Sequence, residues 1–331
     1  ATAQKGETVV MSETAEVNFG KDNLAWLPYS TNEKNQMAMA FQNFYDNCRL
    51  SEAKDILAFL PVTVDCGEVK VTVMESDLES YPGMFISVDK EKKGLDGVFA
   101  PYPKKTDFYP WRVQEYVTET EDFIAKTTGP RNYPWRVLAV TSCDTQLPVN
   151  NLVYALASPS RIEDTSWIKG GQVAWDWWND WGLSGVDFVA GINMDTYRHY
   201  IDFASKNGIE YIVLDEGWYD PKGGDMLTVI PELDLEELIA YGKDRNVNII
   251  LWTVFNVLDD QLEEACRKYS SMGVVGFKVD FLDRDDQTAV EMAYRIAEKC
   301  AEYKMTLDYH GFYKPTGLNR TYPNVINFEG V

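Results

Sequence analysis

The sequence has little basic charge, very little histidine and no long hydrophobic run. Lys and Arg together number 31 against 52 Asp and Glu, which gives a formal net charge of -21, and there are 2 histidines. Nucleic acids and anionic membranes bind basic surfaces, so neither is an expected partner. No stretch of about 18 apolar residues occurs, so a membrane-spanning segment is excluded.

Cysteine is also scarce and scattered. None of the 5 cysteines has CxxC spacing, which gives little support to a zinc site or a redox motif. An odd number leaves at least one free thiol, and one disulfide remains open. The chain starts at Ala1 rather than Met and shows no signal peptide, so we expect a processed or truncated start.

Aromatic residues, by contrast, are abundant. They make up 13% of the chain, with 10 Trp and 19 Tyr, and hydrophobic residues make up 45%. A chain of 331 residues with this composition buries a sizeable core and suits two domains, or one large domain with an appendage. The aromatic residues are equally compatible with large cores and with stacking against sugar rings.

Residues 1–160 are predicted to form part of an antiparallel β-sandwich domain. Short runs with β-type patterning, among them 69–73, 84–88 and 135–140, are separated by turns rich in Pro and Gly. Short strands with frequent turn signals are typical of a sandwich. One helix is predicted at 52–59.

Residues 161–331 are predicted to form part of a (β/α)8 barrel. Repeated β-then-α units require parallel strands with right-handed crossovers. A doubly wound sheet has the same rhythm, but no glycine fingerprint follows the first strand. About six strands are present where a closed barrel needs eight, so we expect an incomplete barrel. The strands are predicted at 172–178, 210–214, 248–254, 274–281, 305–309 and 324–328, and the helices at 194–207, 233–244, 259–271 and 286–303.

Acidic and aromatic residues lie at the ends of these predicted strands, where barrel enzymes have their active sites. Every strand except the third ends at or near a carboxylate. A single acid of this kind is usually a helix cap or a solvated loop residue, but acids at five strand ends, beside Trp and His, favour an active site. The residues are Asp176, Asp215, Glu216, Asp280, Asp283, Asp308 and Glu329, with His310, Trp175, Trp177, Trp178 and Trp218 as neighbours.

Lys278 and Asp280 form the most informative pair. They are two residues apart on one strand, so their side chains share a face, and the apolar surroundings indicate the barrel interior. A neighbouring lysine keeps a buried carboxylate ionised, which suits a nucleophile that attacks an anomeric carbon. The alternative is a structural ion pair. Asp215 and Glu216 are adjacent, so only one of them faces inward.

Several motifs are specific in combination. They are IEDTSWIK (162–169), AWDWW (174–178), LDEGW (214–218), PTG (315–317) and RTYPN (320–324), with ESDL (75–78) and YPGM (81–84) in the first half. With these motifs, nearly the whole chain resembles glycoside hydrolase family 97, a family of α-glucosidases and α-galactosidases. The resemblance implies an N-terminal β-sandwich, a catalytic (β/α)8 barrel and a chain truncated at both ends.

The resemblance also implies a calcium-dependent glycosidase that acts on oligosaccharide or polysaccharide α-glycosides in the periplasm or outside the cell. It makes Asp280 the catalytic nucleophile. The substrate-binding residues that it implies are Trp175, Asp176, Trp177, Asp215, Glu216, Trp218, Lys278 and His310, and the calcium ligands are Glu329 and Glu75.

Gly311 separates two branches of the family. Inverting members are similar in having a glutamate base directly after the fifth-strand histidine, whereas Gly311 follows His310 here and Asp280 occupies the fourth strand. This pattern resembles the retaining α-galactosidase branch. The family's general acid/base is expected after Val331, so the chain as given is expected to be inactive. The alternatives are an inverting α-glucosidase of the same family and a non-catalytic carbohydrate-binding barrel.

Overall fold

The computed structural model describes residues 2–220 and 222–329. The first half consists mainly of antiparallel strands and ends with a short helix, α1 (Leu152–Leu156). Its strands are β1 (Thr2–Val10), β2 (Glu16–Asn18), β3 (Leu24–Leu27), β4 (Asp46–Arg49), β5 (Val62–Asp65), β6 (Lys70–Ser76), β7 (Met84–Asp89), β8 (Gly94–Phe99), β9 (Pro103–Phe108), β10 (Glu115–Thr120), β11 (Ala125–Arg131) and β12 (Trp135–Thr141).

Two antiparallel sheets of this half share one core, as the alternating pattern predicts. One sheet has the order β12-β6-β5-β3-β4 and the other the order β2-β8-β7. Buried side chains from both sheets, such as Leu27, Val62, Ile86 and Leu95, belong to the same hydrophobic cluster. The pairs β1-β11 and β9-β10 form separate two-stranded ribbons.

The helix predicted at 52–59 is wrong. The structure has a short 3-10 turn at Leu50–Glu52, and irregular backbone follows it. Ala58 forms a two-way bridge with Ile86, in which each backbone N–H donates to the other carbonyl at 2.9 and 2.8 Å. Because this bridge uses the backbone groups that a helix needs, tertiary pairing replaces the local helical preference.

The second half alternates strands with helices. The strands are β13 (Val173–Trp175), β14 (Tyr211–Leu214), β15 (Asn248–Val254), β16 (Gly276–Asp280), β17 (Thr306–Tyr309) and β18 (Val325–Phe328). The helices are α2 (Met194–Asn207), α3 (Leu235–Lys243), α4 (Phe255–Asp260), α5 (Leu262–Met272), α6 (Gln287–Glu302) and α7 (Leu318–Thr321). The helix predicted at 259–271 is therefore two helices, of which the first begins directly after β15.

The six strands form a curled parallel half-barrel, which confirms the predicted fold class. Their order in the sheet is the order in the chain, and every neighbouring pair is parallel. Right-handed crossovers between sequential strands place all helices on one face, whereas a doubly wound sheet reverses its order. Side chains on the strands alternate accordingly: Ile212 and Leu251 belong to the main core, and Val213 and Ile250 to a separate cluster on the other face.

A buried ion network joins the sandwich to the half-barrel. Lys314 Nζ lies 3.0 Å from Glu75 Oε1 and also donates to Asp285, and Arg136 pairs with the other Glu75 oxygen. Burial raises the pKa of Asp285 to about 6, although Lys314 opposes the rise. Gly83 contacts this network, because its N–H donates to the Asp285 carbonyl at 2.8 Å.

We expect Gly83→Ala to destabilise the protein by roughly 1–3 kcal/mol, because forced overpacking costs this much. A Cβ at Gly83 overlaps Asp285 Oδ2 and lies 2.6 Å from Lys314 Nζ. Gly170→Ala is the matched control, since a Cβ there has nothing within 4 Å. The measurement is the midpoint of urea unfolding, and equal midpoints for the two variants would contradict the packing argument.

Candidate active site

The fourth parallel strand carries a lysine and an aspartate into the concave side of the half-barrel. Lys278 is 2% exposed and Asp280 is 7% exposed, at the carboxyl end of β16. Strand pairing sets Lys278 beside Trp252 on one neighbouring strand and Asp308 on the other. Side chains in register on parallel strands share a face of the sheet, so these residues line the same interior surface.

The Lys278 ammonium bridges two carboxylates. Its Nζ lies 2.7 Å from Asp215 Oδ2 and 3.3 Å from Asp280 Oδ2. The same Nζ lies 4.5 Å from the centre of the Trp175 ring, and the Trp175 indole N–H donates to Asp215 Oδ2 at 2.5 Å. These contacts tie the ends of β13, β14 and β16 together around one buried positive charge.

Asp280 is held by three donors. Trp252 Nε1 donates to Oδ2 at 3.2 Å, Lys278 Nζ lies 3.3 Å from the same oxygen, and the Phe281 N–H donates to Oδ1 at 2.9 Å. Burial raises the pKa of Asp280 above its ordinary value, and the charges of Lys278 and His310 oppose that rise. Lys278 therefore lowers the pKa of Asp280, as expected, but desolvation raises this pKa by more.

Asp215 and Asp176 form a second acidic pair at the first two strand ends. Asp215 is fully buried and Asp176 is 1% exposed. The Tyr197 hydroxyl donates to Asp176 Oδ2 at 2.8 Å, and the Trp177 N–H donates to Oδ1 at 2.8 Å. Burial, with the nearby Asp215 charge, raises the pKa of Asp176 to about 7 against the lowering effect of these bonds.

His310 lies between two carboxylates at the ends of β17 and β18. Its Nε2 is 3.2 Å from Asp308 Oδ1 and its Nδ1 is 3.3 Å from Glu329 Oε1. Burial alone lowers the pKa of His310, but these two carboxylates outweigh it and raise the value to about 9. The hydrogen bond with His310 lowers the pKa of Glu329 to about 2.

A cavity of about 400 Å³ opens on this concave surface. It brings together four of the predicted site residues with neighbouring side chains of the strands. Its lining consists of Val173, Trp175, Val213, Lys278, Asp308, His310, Asn327, Phe328 and Glu329. The cavity has the mixture of carboxylates, cations and an indole ring that a polar ligand with an apolar face requires.

Asp280, Asp176 and Asp215 are not among the residues that line this cavity, and neither are Glu216, Trp177 and Trp218. Glu216 points away from Asp215 and pairs with Arg112 at 3.1 Å. Trp177 is 47% exposed and stacks on Trp181.

Trp218 has no exposed surface. Its indole N–H donates to the Trp252 carbonyl at 2.7 Å, and its ring packs edge-on against Tyr269 of α5. Trp218 thus lies in the core between strands and helices, where it has no surface with which to contact a sugar. The motif LDEGW alone could not show whether the Trp218 side chain faces the helices or the barrel interior.

Gly311 occupies a position with little free space. Its φ is +49°, and a Cβ there lies 2.8 Å from the Phe281 nitrogen and 3.0 Å from Asp283 Oδ1. Its carbonyl accepts bonds from the N–H groups of Leu282 and Asp283 at 3.0 and 2.8 Å. A side chain at this position therefore requires the loop after Asp280 to move.

Two family profiles match almost the whole chain. Glycosyl-hydrolase 97 N-terminal matches residues 1–159, and Glycoside hydrolase 97 matches residues 177–331. The chain belongs to glycoside hydrolase family 97.

Two curated relatives carry the name of one activity. The family 97 chain is 51% identical over 330 residues to a retaining alpha-galactosidase of Bacteroides thetaiotaomicron, covering 97% of this chain and 50% of the relative. It is 32% identical over 208 residues to a probable retaining alpha-galactosidase of Streptomyces bingchenggensis, covering 61% of this chain and 32% of the relative. The chain thus spans half or less of the length of these relatives.

Solved structures share the fold. A glycoside hydrolase family 97 enzyme in complex with acarbose, from Pseudoalteromonas sp. strain K8, aligns with a TM-score of 0.80 at 20% identity, covering 99% of this chain and 51% of that one. A beta-arabinopyranosidase aligns with a TM-score of 0.78 at 21% identity, again covering 99% of this chain and 51% of that one. At this level of identity the likeness concerns the fold alone.

The two predicted calcium ligands of this family 97 chain have different surroundings. The Glu75 carboxylate accepts the Met84 N–H at 2.9 and 3.1 Å and pairs with Lys314 and Arg136, so its oxygens are already bonded. Glu329 is more open and contacts His310 and the Gly311 N–H. Within residues 2–220 and 222–329, no group of three or more His, Cys, Asp or Glu side chains is arranged to hold a metal.

Three residues of this surface were not predicted from the sequence. Arg112 and Gln114 come from the β9–β10 connection of the sandwich and bond Glu216 and Asp283 at the barrel's strand ends. Only the tertiary structure brings Arg112 and Gln114 to the strand ends, and no local sequence pattern predicts this position. Trp252 was also missed, although its position on β15 has the same parity as the inward-facing Ile250.

The raised pKa of Asp176 predicts a pH-dependent stability. Because its folded value of about 7 lies above the ordinary 3.8, its contribution to stability is complete below pH 3.8 and is lost as the pH rises through about 7. We expect Asp176→Asn to remove this loss, so the variant gains up to about 4 kcal/mol relative to the parent across that range. Urea unfolding at about pH 4 and about pH 8 measures the difference, and parallel pH dependence of both proteins would contradict the raised pKa.

Proposed function

We propose that this protein is a retaining α-galactosidase in which Asp280 is the nucleophile and terminal α-galactosides are the substrates. The observation that carries the proposal is the buried Asp280 carboxylate, fixed by Trp252 and Lys278 at the carboxyl end of β16. The names of the two curated relatives support the same activity.

The chemistry follows from this arrangement. Asp280 attacks the anomeric carbon as the bond to the leaving group breaks, and a β-linked glycosyl-enzyme forms. Water then attacks the same carbon, which releases Asp280 and restores the α configuration. Retention needs a second carboxyl group about 5–5.5 Å from the nucleophile, to protonate the leaving oxygen and then activate the water. We propose that this group follows Val331 in the protein, as the family resemblance implies.

The surroundings of Gly311 support retention over inversion. An inverting enzyme needs a base that activates water on the face opposite the leaving group. At this position the Phe281 nitrogen and Asp283 Oδ1 occupy the space that a glutamate side chain would enter. The inverting α-glucosidase is therefore the weaker alternative.

Calcium and location belong to the proposal as well. We propose that Glu329 contributes one carboxylate to a calcium site whose other ligands come from outside residues 2–220 and 222–329, and that Glu75 serves the ion network with Lys314 instead. Bound calcium would polarise hydroxyl groups of the sugar.

We also propose a periplasmic or extracellular location. Among the described residues, no helix is long and apolar enough to cross a membrane.

In the full-length protein, Asp280→Gly should lower kcat/KM for an aryl α-galactoside by roughly 10³-fold or more, which is about 4 kcal/mol of transition-state stabilisation. The covalent route needs this carboxylate, and the variant removes it while leaving Lys278 and Asp215 paired. Asp259→Asn is the control, because Asp259 pairs with Arg295 on helices outside the cavity. Turnover close to that of the parent protein would refute the nucleophile assignment.

Azide should restore turnover by Asp280→Gly and yield β-galactosyl azide, because a small anion fills the vacated space and attacks from the same face.

A fluoroglycoside should label Asp280 in the parent protein, as mass spectrometry of peptides would show. Release of β-galactose as the first product of the parent protein would favour the inverting alternative, and binding without any turnover would favour the non-catalytic one.

A further inference from the structure

The ribbon β9–β10 belongs to the sandwich in sequence but ends against the barrel. Its two strands pair with each other and not with either sandwich sheet. Most of its strand residues are exposed or half-buried. A two-stranded ribbon has little stability alone, so the contacts made by its connecting segment decide where it lies.

The connecting segment reaches the loop after Asp280. The guanidinium of Arg112 lies 3.6 Å from the centre of the Phe281 ring, and Phe281 directly follows Asp280. Arg112 also donates to Glu216 Oε2 at 3.1 Å, at the end of β14. A guanidinium that is stacked and paired at the same time has little freedom to move.

Two neighbouring residues extend the attachment. Gln114 Nε2 donates to Asp283 Oδ2 at 2.7 Å, after β16. The Glu115 N–H donates to Asn256 Oδ1 at 3.0 Å, after β15. Residues 112–115 therefore attach to the segments that follow three successive strands, β14, β15 and β16, of which β16 carries the proposed nucleophile.

Trp111 stands immediately before these attached residues and keeps an open face. Its side chain is 57% exposed. Its ring stacks on Tyr109 at 5.0 Å and 26°, and Tyr109 packs on Tyr116 at 4.7 Å. The Tyr109 and Tyr116 rings hold the Trp111 indole in a fixed orientation, and the outer face of the indole stays accessible.

We propose that Trp111 forms the subsite for the leaving group, and that it binds a sugar unit attached to the α-galactosyl residue. The inference rests on the proposed function and adds the class of leaving group to it. Residues 112–115 attach beyond the carboxyl ends of β14, β15 and β16, so the segment that carries Trp111 lies at the rim of the half-barrel. In this proposal the leaving group of a galactosyl unit bound at Asp280 extends toward that rim. The apolar face of a pyranose ring matches the indole, and the Arg112–Glu216 pair offers donors and acceptors for hydroxyl groups beside it.

The test measures kcat/KM of the Trp111→Ala variant and of the parent protein for two substrates. One is raffinose, an α-galactoside with a sugar leaving group, and the other is α-galactosyl fluoride, whose leaving group occupies no subsite. We expect the ratio of kcat/KM for raffinose to that for the fluoride to fall by roughly tenfold, mainly through KM, because truncating a Trp contact removes about that much binding. Trp111→Phe should recover most of the ratio, since it keeps an aromatic face.

Trp135→Ala is the matched control, because Trp135 is a comparably exposed tryptophan, 53%, on sandwich strand β12. Its ratio should equal that of the parent protein. Equal loss on both substrates by Trp111→Ala, or an unchanged ratio, overturns the subsite alone. All variants are made in the full-length protein, and a full-length parent that hydrolyses neither substrate overturns the proposed function and the subsite with it.

Discussion

The candidate site depends on one buried ammonium group. Lys278 is 2% exposed and contacts the carboxylates of Asp215 and Asp280, which lie on different strands and are themselves almost inaccessible. Buried carboxylates persist only when paired and hydrogen-bonded, so removing this lysine takes the paired positive charge from both carboxylates and leaves them only their hydrogen bonds to N–H groups. The Trp175 ring and its N–H complete the arrangement from a third strand. The relative placement of three strand ends thus follows from one charge.

The sandwich directly contacts and holds the loop that follows Asp280. Phe281 and Asp283 have φ values of +64° and +54°, which L residues adopt only when surrounding contacts impose them. Gln114 bonds the Asp283 carboxylate, and the Gly311 carbonyl accepts the Asp283 N–H. The strained turn after Asp280 is therefore fixed both from the sandwich and from the end of the next barrel strand.

The sequence predicted those features that depend on periodicity. Apolar runs identified β14–β18 within a few residues, and the two-residue spacing placed Lys278 and Asp280 on one face. It failed where tertiary contacts decide. The segment 52–59 bonds a sandwich strand instead of itself, and Trp218 turns into the helix layer although it follows an acidic strand end. Arg112, remote in sequence, had no local signal at all.

One glycine connects the loop geometry to the choice of mechanism. A Cβ at position 311 would lie 2.8 Å from the Phe281 nitrogen and 3.0 Å from Asp283 Oδ1, so a glutamate base there requires the loop after Asp280 to move. The Gly311 carbonyl accepts two bonds from the same loop, so moving the loop breaks these bonds as well as the one from Gln114. Conversion to an inverting site therefore requires a different loop after β16 as well as a different residue at 311. For this reason the proposed nucleophile Asp280 and Gly311 belong to one structural unit.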